Sequence, residues 1–334
     1  MPFQQPPELY NEEGKIRTVG FELEFADVDI EESVGIIQEL YGGRVEKEHR
    51  FKQSVKETSL GDFTVMIDLR LLHEKGYQKV LEKFNINLQD IQWGENNLEY
   101  EVESTMENII RTVIPYEITS PPVPVNKLEE LDKLRKSLQE HHATGTKSFP
   151  TNAFAIHINP EIPAKDVDTI LRYMRAFFLL YPWIFKESKI DMARRVSSFI
   201  SPFPSKYSEM VVKPSYKPGI DTLIEDYHLY NPDRNRPLDM YPLFAEVRKE
   251  KVNSYSDIGK VNARPTFHYR LPNSLINQED WSLADEWKGW VLIERLASDS
   301  KRLEEMSRAY MELSSNTLIG FESKWTKETE KWLS

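Results

Sequence analysis

The 334 residues suit either about two ordinary domains or one large sheet fold, and an apolar fraction of 40% supplies a sizeable core. Forty-three Lys and Arg against 54 Asp and Glu leave a net charge of −11, which argues against a phosphate-backbone binder with a broad basic face. Cysteine is missing, so disulfides, thiolate zinc sites, iron–sulfur clusters and cysteine nucleophiles are excluded together. Residues 1–15 begin with Pro2, Pro6 and Pro7 and offer little to bury, which predicts a flexible tail ahead of a single domain over 16–334. No basic stretch followed by an apolar one opens the chain, and the longest apolar run, Ala176–Phe185, falls far short of the roughly 20 residues of a membrane span. The reading is a cytoplasmic protein that binds neither nucleic acid nor membrane.

In chain order, period-two alternation first predicts a strand over Thr18–Phe25, with Val19, Phe21, Leu23 and Phe25 on one face and Gly20, Glu22 and Glu24 on the other. Helical periodicity follows over Glu31–Tyr41. Phe63–Leu69 reads as a strand that turns Asp68, with Arg70 after it, away from its apolar side, and Glu99–Ile110 reads as a helix. The strand Tyr116–Ser120 must stop at Pro121, Pro122 and Pro124, after which Asn126 caps a helix predicted to reach His142. Ala153–Pro160 alternates Phe154, Ile156 and Ile158 with His157 and Asn159, Lys165–Phe185 is helical, and Thr266–Leu271 sets His268 and Arg270 opposite Phe267, Tyr269 and Leu271. Helices are predicted over Trp281–Ser298 and the C-terminal stretch. Strands separated by helices, with no tight hairpins, predict an α+β fold whose mixed sheet is covered by helices on its apolar face.

If these strands share one sheet, the polar face collects Glu22, Glu24, Asp68, Glu117, His157, Asn159, His268, Arg70 and Arg270. Carboxylates two residues apart on a strand lie about 6.5–7 Å from each other and repel by roughly 2 kcal/mol at an effective dielectric of 20. Hard divalent cations relieve that repulsion. Taken singly, each of these residues has a plainer reading as a solvated or structural group. His49, His73, His141, His142 and His228 stay in that class, as do the apolar residues of 172–185 as helix core and Glu129, Glu130, Asp132 and Lys133 as a solvated helix face. The coincidence of five such strands points to a magnesium–phosphate site. Other nucleotide and nucleophile motifs are missing: Gly145-Thr146-Lys147-Ser148 lacks the upstream glycine of a phosphate loop, and no Gly-x-Gly-x-x-Gly or Gly-x-Ser-x-Gly occurs.

The ordered blocks Gly20-Phe21-Glu22-Leu23-Glu24-Phe25, Asp68, Glu117-Ile118-Thr119-Ser120-Pro121-Pro122, Ala155-Ile156-His157-Ile158-Asn159-Pro160, Asp233–Leu243 and Arg264–Asn273 resemble the amidoligase family over roughly residues 16–300. That family belongs to the carboxylate–amine ligases with the catalytic fold of glutamine synthetase and glutamate–cysteine ligase. The resemblance implies a curved, mainly antiparallel sheet holding ATP and two or three Mg2+ or Mn2+ ions. It implies Glu22, Glu24 and Glu117 as metal ligands, Asp68 as a further one, and His157 as a metal or nucleotide contact, with Asn159 beside it. Synthetase relatives carry Glu-x-Arg on a late strand; here His268-Tyr269-Arg270 fills that place, which keeps a ligand at His268 and removes one negative charge.

The implied reaction passes the γ-phosphoryl of ATP to a carboxylate, from which an amine displaces phosphate. Arg270 is the first choice for stabilising the transferring group. Arg195, Arg234 and Arg236 follow, from proline-flanked segments placed to close over substrate, although solvated loop arginines paired with nearby acids are an equal reading. Expected substrates are amino acids, peptides or cell-wall and natural-product precursors, with an ATP-grasp or amidotransferase-like protein as partner. Two alternatives stand beside the ligase: a catalytically altered nucleotide- or peptide-binding module, and a phosphotransferase acting on a nitrogen acceptor.

Overall fold

Alternation of Val19, Phe21, Leu23 and Phe25 with smaller and acidic residues makes β1 (Thr18–Phe25) a strand with one dry face. In the computed structural model, which describes residues 2–49, 51–67, 115–146, 154–190, 194, 200–317 and 319–333, β1 runs through the middle of an open nine-stranded sheet. The other strands are β2 (Arg44–His49), β3 (Lys52–Thr58), β4 (Gly61–Ile67), β5 (Tyr116–Thr119), β6 (Val123–Pro124), β7 (Ile156–Pro160), β8 (Leu238–Asp239) and β9 (His268–Tyr269). Their order is β2-β3-β4-β5-β1-β7-β9-β8, with β6 pairing the start of β1. Every described pairing is antiparallel, in agreement with the mainly antiparallel sheet expected from the sequence. Register then fixes the polar face, because Glu22 pairs with Thr119 on one side and His157 on the other, while Glu24 pairs with Glu117.

Ten α-helices accompany the sheet among the described residues: α1 (Ile30–Tyr41), α2 (Glu129–Glu140), α3 (Val167–Glu187), α4 (Ser205–Val212), α5 (Ile220–Tyr230), α6 (Tyr241–Val247), α7 (Lys249–Asn253), α8 (Leu283–Ser298), α9 (Ser300–Ser315) and α10 (Phe321–Leu333). Side-chain caps start several of them. Asp29 accepts from Glu32 N at α1, Asp166 from Thr169 N at α3, and Ser282 forms a capping box with Asp285 at α8. The apolar side of α1 lies on β3 and β4. Rings from α3 and α8 cover the dry side of β9, with Tyr173 stacked on Phe267 at 5.1 Å and Trp290 at 5.1 Å from Phe267 and 5.5 Å from Tyr269. One hydrophobic cluster joins these layers.

The structure differs from the sequence expectations in four places. β2, β3 and β4 form a meander with tight turns, where no hairpin was expected. Arg44–His49 lies at the sheet edge and carries charges on both faces, so no period of two marks it. Asn126 falls in a short 3-10 turn (Val125–Lys127), and α2 starts at Glu129 without a side-chain cap. The predicted strand Thr266–Leu271 keeps only His268 and Tyr269 in β9. The N-terminal segment, expected to be a flexible tail, is docked: Phe3 is 7% exposed, Trp287 Nε1 donates to Gln4 O at 2.8 Å, and Arg172 holds both carboxylate oxygens of Glu8 at 2.8 Å. The proline-rich composition concealed these anchors, since single buried residues carry no periodic signal. The predicted helix over Glu99–Ile110 lies outside the described residues.

Candidate metal and phosphate site

On the polar face of β1, Glu22 and Glu24 point to the same side as His157 of β7, Glu117 of β5 and His268 of β9. These five groups are buried, each between 3% and 7% exposed. Glu22 Oε2 accepts from His157 Nδ1 at 2.8 Å, and its Oε1 accepts from Asn159 Nδ2 at 3.1 Å and Arg264 Nη1 at 3.4 Å. Glu24 Oε2 accepts from the Ala155 amide at 2.7 Å, while its Oε1 lies 3.8 Å from His157 Nε2. Glu117 Oε1 accepts from Thr119 Oγ1 at 3.0 Å. The His157 and His268 rings meet edge-on with centroids 5.0 Å apart.

Glu22, Glu24 and Glu117 form one side of a cleft of about 420 Å³, which Met66, Thr119, His157 and His268 also line. Arg234, Asn235, Lys260, Asn262, Arg264 and Arg270 supply the rest of its lining. The loop before β9 thus sets cations opposite the acids. Arg270 Nη1 donates to Arg234 O at 2.8 Å and Asn235 Oδ1 at 3.2 Å, and its Nε has no hydrogen-bond partner among the described residues. Arg234 Nε donates at 3.0 Å to Asp239 Oδ2, a fully buried carboxylate on β8.

Electrostatics set the protonation states. Burial would raise the Glu22 carboxyl, yet His268 and His157 together bring it well below the ordinary carboxylate range. Burial opposes charge on His157 and pushes its pKa down to about 3, with Arg270 and His268 adding to the effect. His157 is therefore a neutral imidazole at neutral pH. It donates Nδ1–H to ionised Glu22 and leaves a lone pair on Nε2 toward Glu24. Asp239 is also lowered: burial is outweighed by His268, Arg234 and the Tyr241 amide.

These residues fit a divalent cation. His268 places Nε2 at 3.5 Å from Glu22 Oε2 and Nδ1 at 3.5 Å from Asp239 Oδ2, and neither buried ring nitrogen has a hydrogen-bond partner among the described residues. Glu22, His157 and His268 each bring a ligand atom within 4.8 Å of the others. A cation among them gives His268 the partner that no described residue provides.

The structure therefore brings together Glu22, Glu24, Glu117, His157, His268, Arg234 and Arg270. Asn159 acts behind this set, by holding Glu22. Arg236 does not line the cleft and corrects the expectation from sequence: its Nη1 donates to Pro202 O at 2.6 Å, its Nη2 to Asp233 Oδ2 at 2.8 Å, and its guanidinium sits 5.9 Å from the Phe203 ring. Asp68 and Arg195 lie outside the described residues. Sequence reasoning assigned no role to Asp239, Lys260 or Arg264. Asp239 and Arg264 stand inside the quoted blocks, the one signal that could have singled them out.

A family model described as "Putative amidoligase enzyme" matches residues 15–292. No curated protein and no solved structure matches the chain. Among the described residues, no helix is long and apolar enough to cross a membrane.

Proposed function

The chain belongs to the amidoligase family, and from that premise we propose that it is an ATP- and divalent-metal-dependent ligase joining a carboxylate to an amine through an acyl-phosphate. One observation carries the reading: Glu22, Glu24 and Glu117 meet His157 and His268 in a cleft that also holds Arg234, Lys260, Arg264 and Arg270. Acids alone suit a cation and arginines alone suit an anion; both in one cleft suit a metal-bound polyphosphate beside an anionic substrate.

Within this reading, Glu22, Glu24 and Glu117 with His157 and His268 hold divalent cations, which when bound neutralise phosphoryl oxygens. Arg270 and Arg234, tied together through Arg234 O, stabilise charge on the phosphoryl group in flight. Asn159 and Arg264 fix Glu22 from its Oε1 side. The substrates are amino-acid or peptide-like carboxylates and amines, and an ATP-grasp or amidotransferase-like protein is the expected partner. The open antiparallel sheet supports a glutamine synthetase-like catalytic fold.

ADP release by the purified chain, measured against a panel of amino acids and peptides with amide product identified by mass, tests the proposal. Glu22→Gln and Glu24→Gln are expected to lower turnover by about 10²-fold or more with the melting temperature near wild type, whereas Glu130→Gln on α2 has no effect. Equal activity in all three variants would remove the cleft from the reaction. His268 in place of an acid favours a second reading, a nucleotide-binding module, which tight ATP binding without ADP release would select. A phosphorylated amine in place of an amide would select nitrogen phosphotransfer.

A further inference from the structure

His268 is held between two fixed carboxylates. On its Nδ1 side, Asp239 is fully buried, and its oxygens already accept from Arg234 Nε and the Tyr241 amide, both at 3.0 Å. That carboxylate is held in place at 3.5 Å from Nδ1, so when a cation takes Nε2, which lies 3.5 Å from Glu22 Oε2, the ring proton has a fixed acceptor on the Nδ1 side. On the other side, Asn159 and Arg264 occupy Glu22 Oε1 and direct Oε2 to the imidazoles. The nearest cage thus offers one carboxylate oxygen and two imidazole nitrogens. Magnesium is a hard ion that takes oxygen ligands and gives up its waters reluctantly, whereas imidazole suits the later first-row dications.

We propose that His268, positioned by Asp239, makes the Glu22–His157–His268 cage selective for a first-row transition-metal dication of the manganese-to-zinc class over magnesium. The inference rests on the metal part of the ligase reading and not on its chemistry. With two imidazole nitrogens against one carboxylate, the cage holds little of the oxygen charge that attracts a hard ion. The same set offers softer nitrogen donors, and both effects act in one direction.

The test uses the whole chain, stripped of metal with a chelator and titrated with Co2+, whose visible absorption reports nitrogen ligation directly. Cobalt is expected to bind at one tight site and to resist displacement by about a tenfold excess of Mg2+. Asp239→Asn is expected to weaken Co2+ about 10–100-fold, as loss of an outer carboxylate does at histidine sites. His268→Glu is expected to reverse the preference, so that Mg2+ displaces Co2+, with circular dichroism and melting temperature confirming the fold. This second variant also decides the matter if Asp239→Asn does not fold. Magnesium displacing cobalt from the wild-type chain at equal concentration overturns the proposal, and so does a folded His268→Glu variant with an unchanged preference. Binding is read without nucleotide and turnover by ADP release, so failure of this inference and failure of the ligase reading are seen separately.

Discussion

Arg270 shows how the cleft prepares a cationic fork. The segment before β8 pins Nη1 through Arg234 O and Asn235 Oδ1, so the planar group is oriented before any ligand arrives. Arg270→Lys is expected to lower turnover by about 10²-fold with little change in melting temperature, because an ammonium cannot keep the loop contacts and also contact phosphate in one plane; a variant that turns over at wild-type rate would place phosphate elsewhere. Away from the cleft, burial pushes the Glu286 carboxyl from 4.5 up to about 7, although Trp281 Nε1 donates to it at 2.9 Å. Below pH 4.5 both folded and unfolded chains carry the proton and Glu286 has no effect. Between 4.5 and 7 only the unfolded chain ionises, so stability falls as pH rises. Glu286→Gln is therefore expected to match wild type at pH 4 and to exceed it by about 1–3 kcal/mol at pH 8 in denaturant titrations. A difference that does not vary with pH would contradict the assignment. At this scale the site was half legible. Period two marked Glu22, Glu24, Glu117, His157 and His268 because strand geometry fixes where alternate side chains point. Arg236 misled because its segment has no such rule, and Asp239 stayed hidden because a two-residue strand shows no period.

Among the elements, the long amphipathic helices and the central strands were read within about three residues, since burial of one face imposes their period. The edge meander was missed for the converse reason: Arg44–His49 buries no face of its own. Tight approach between segments was equally invisible. A Cβ built on Gly145 would lie 2.2 Å from Ser274 O, where the chain after α2 crosses the chain after β9 and Thr146 N donates to the same oxygen at 2.7 Å. Gly145→Ala is expected to lose about 1–3 kcal/mol of stability, measured by thermal or urea unfolding, because backbone and not a pliable side chain must give way. Wild-type stability would mean that the crossing is looser than the structure has it. Gly61, at φ +121 in the turn from β3 to β4, is likewise required by its backbone.

For the whole molecule, the decisive contact joins the residue before β1 to α8. Arg17 and Glu294 are both fully buried, and Arg17 donates two hydrogen bonds to the carboxylate at 2.8 and 2.7 Å, with Trp290 Nε1 also donating to Glu294. Glu294→Leu is expected to cost about 3–5 kcal/mol by leaving a buried guanidinium without its carboxylate, and the double change Arg17→Met with Glu294→Leu is expected to recover most of that loss. Additive losses in the double variant would show that packing, not charge, is being measured. These partners stand 277 positions apart. During synthesis at about 5–20 residues per second, a ribosome delivers Glu294 roughly 15–55 s after Arg17. Until Glu294 emerges, the Arg17 guanidinium just ahead of β1 can only be hydrated by water, so burial of this pair is a late event of folding that waits for α8.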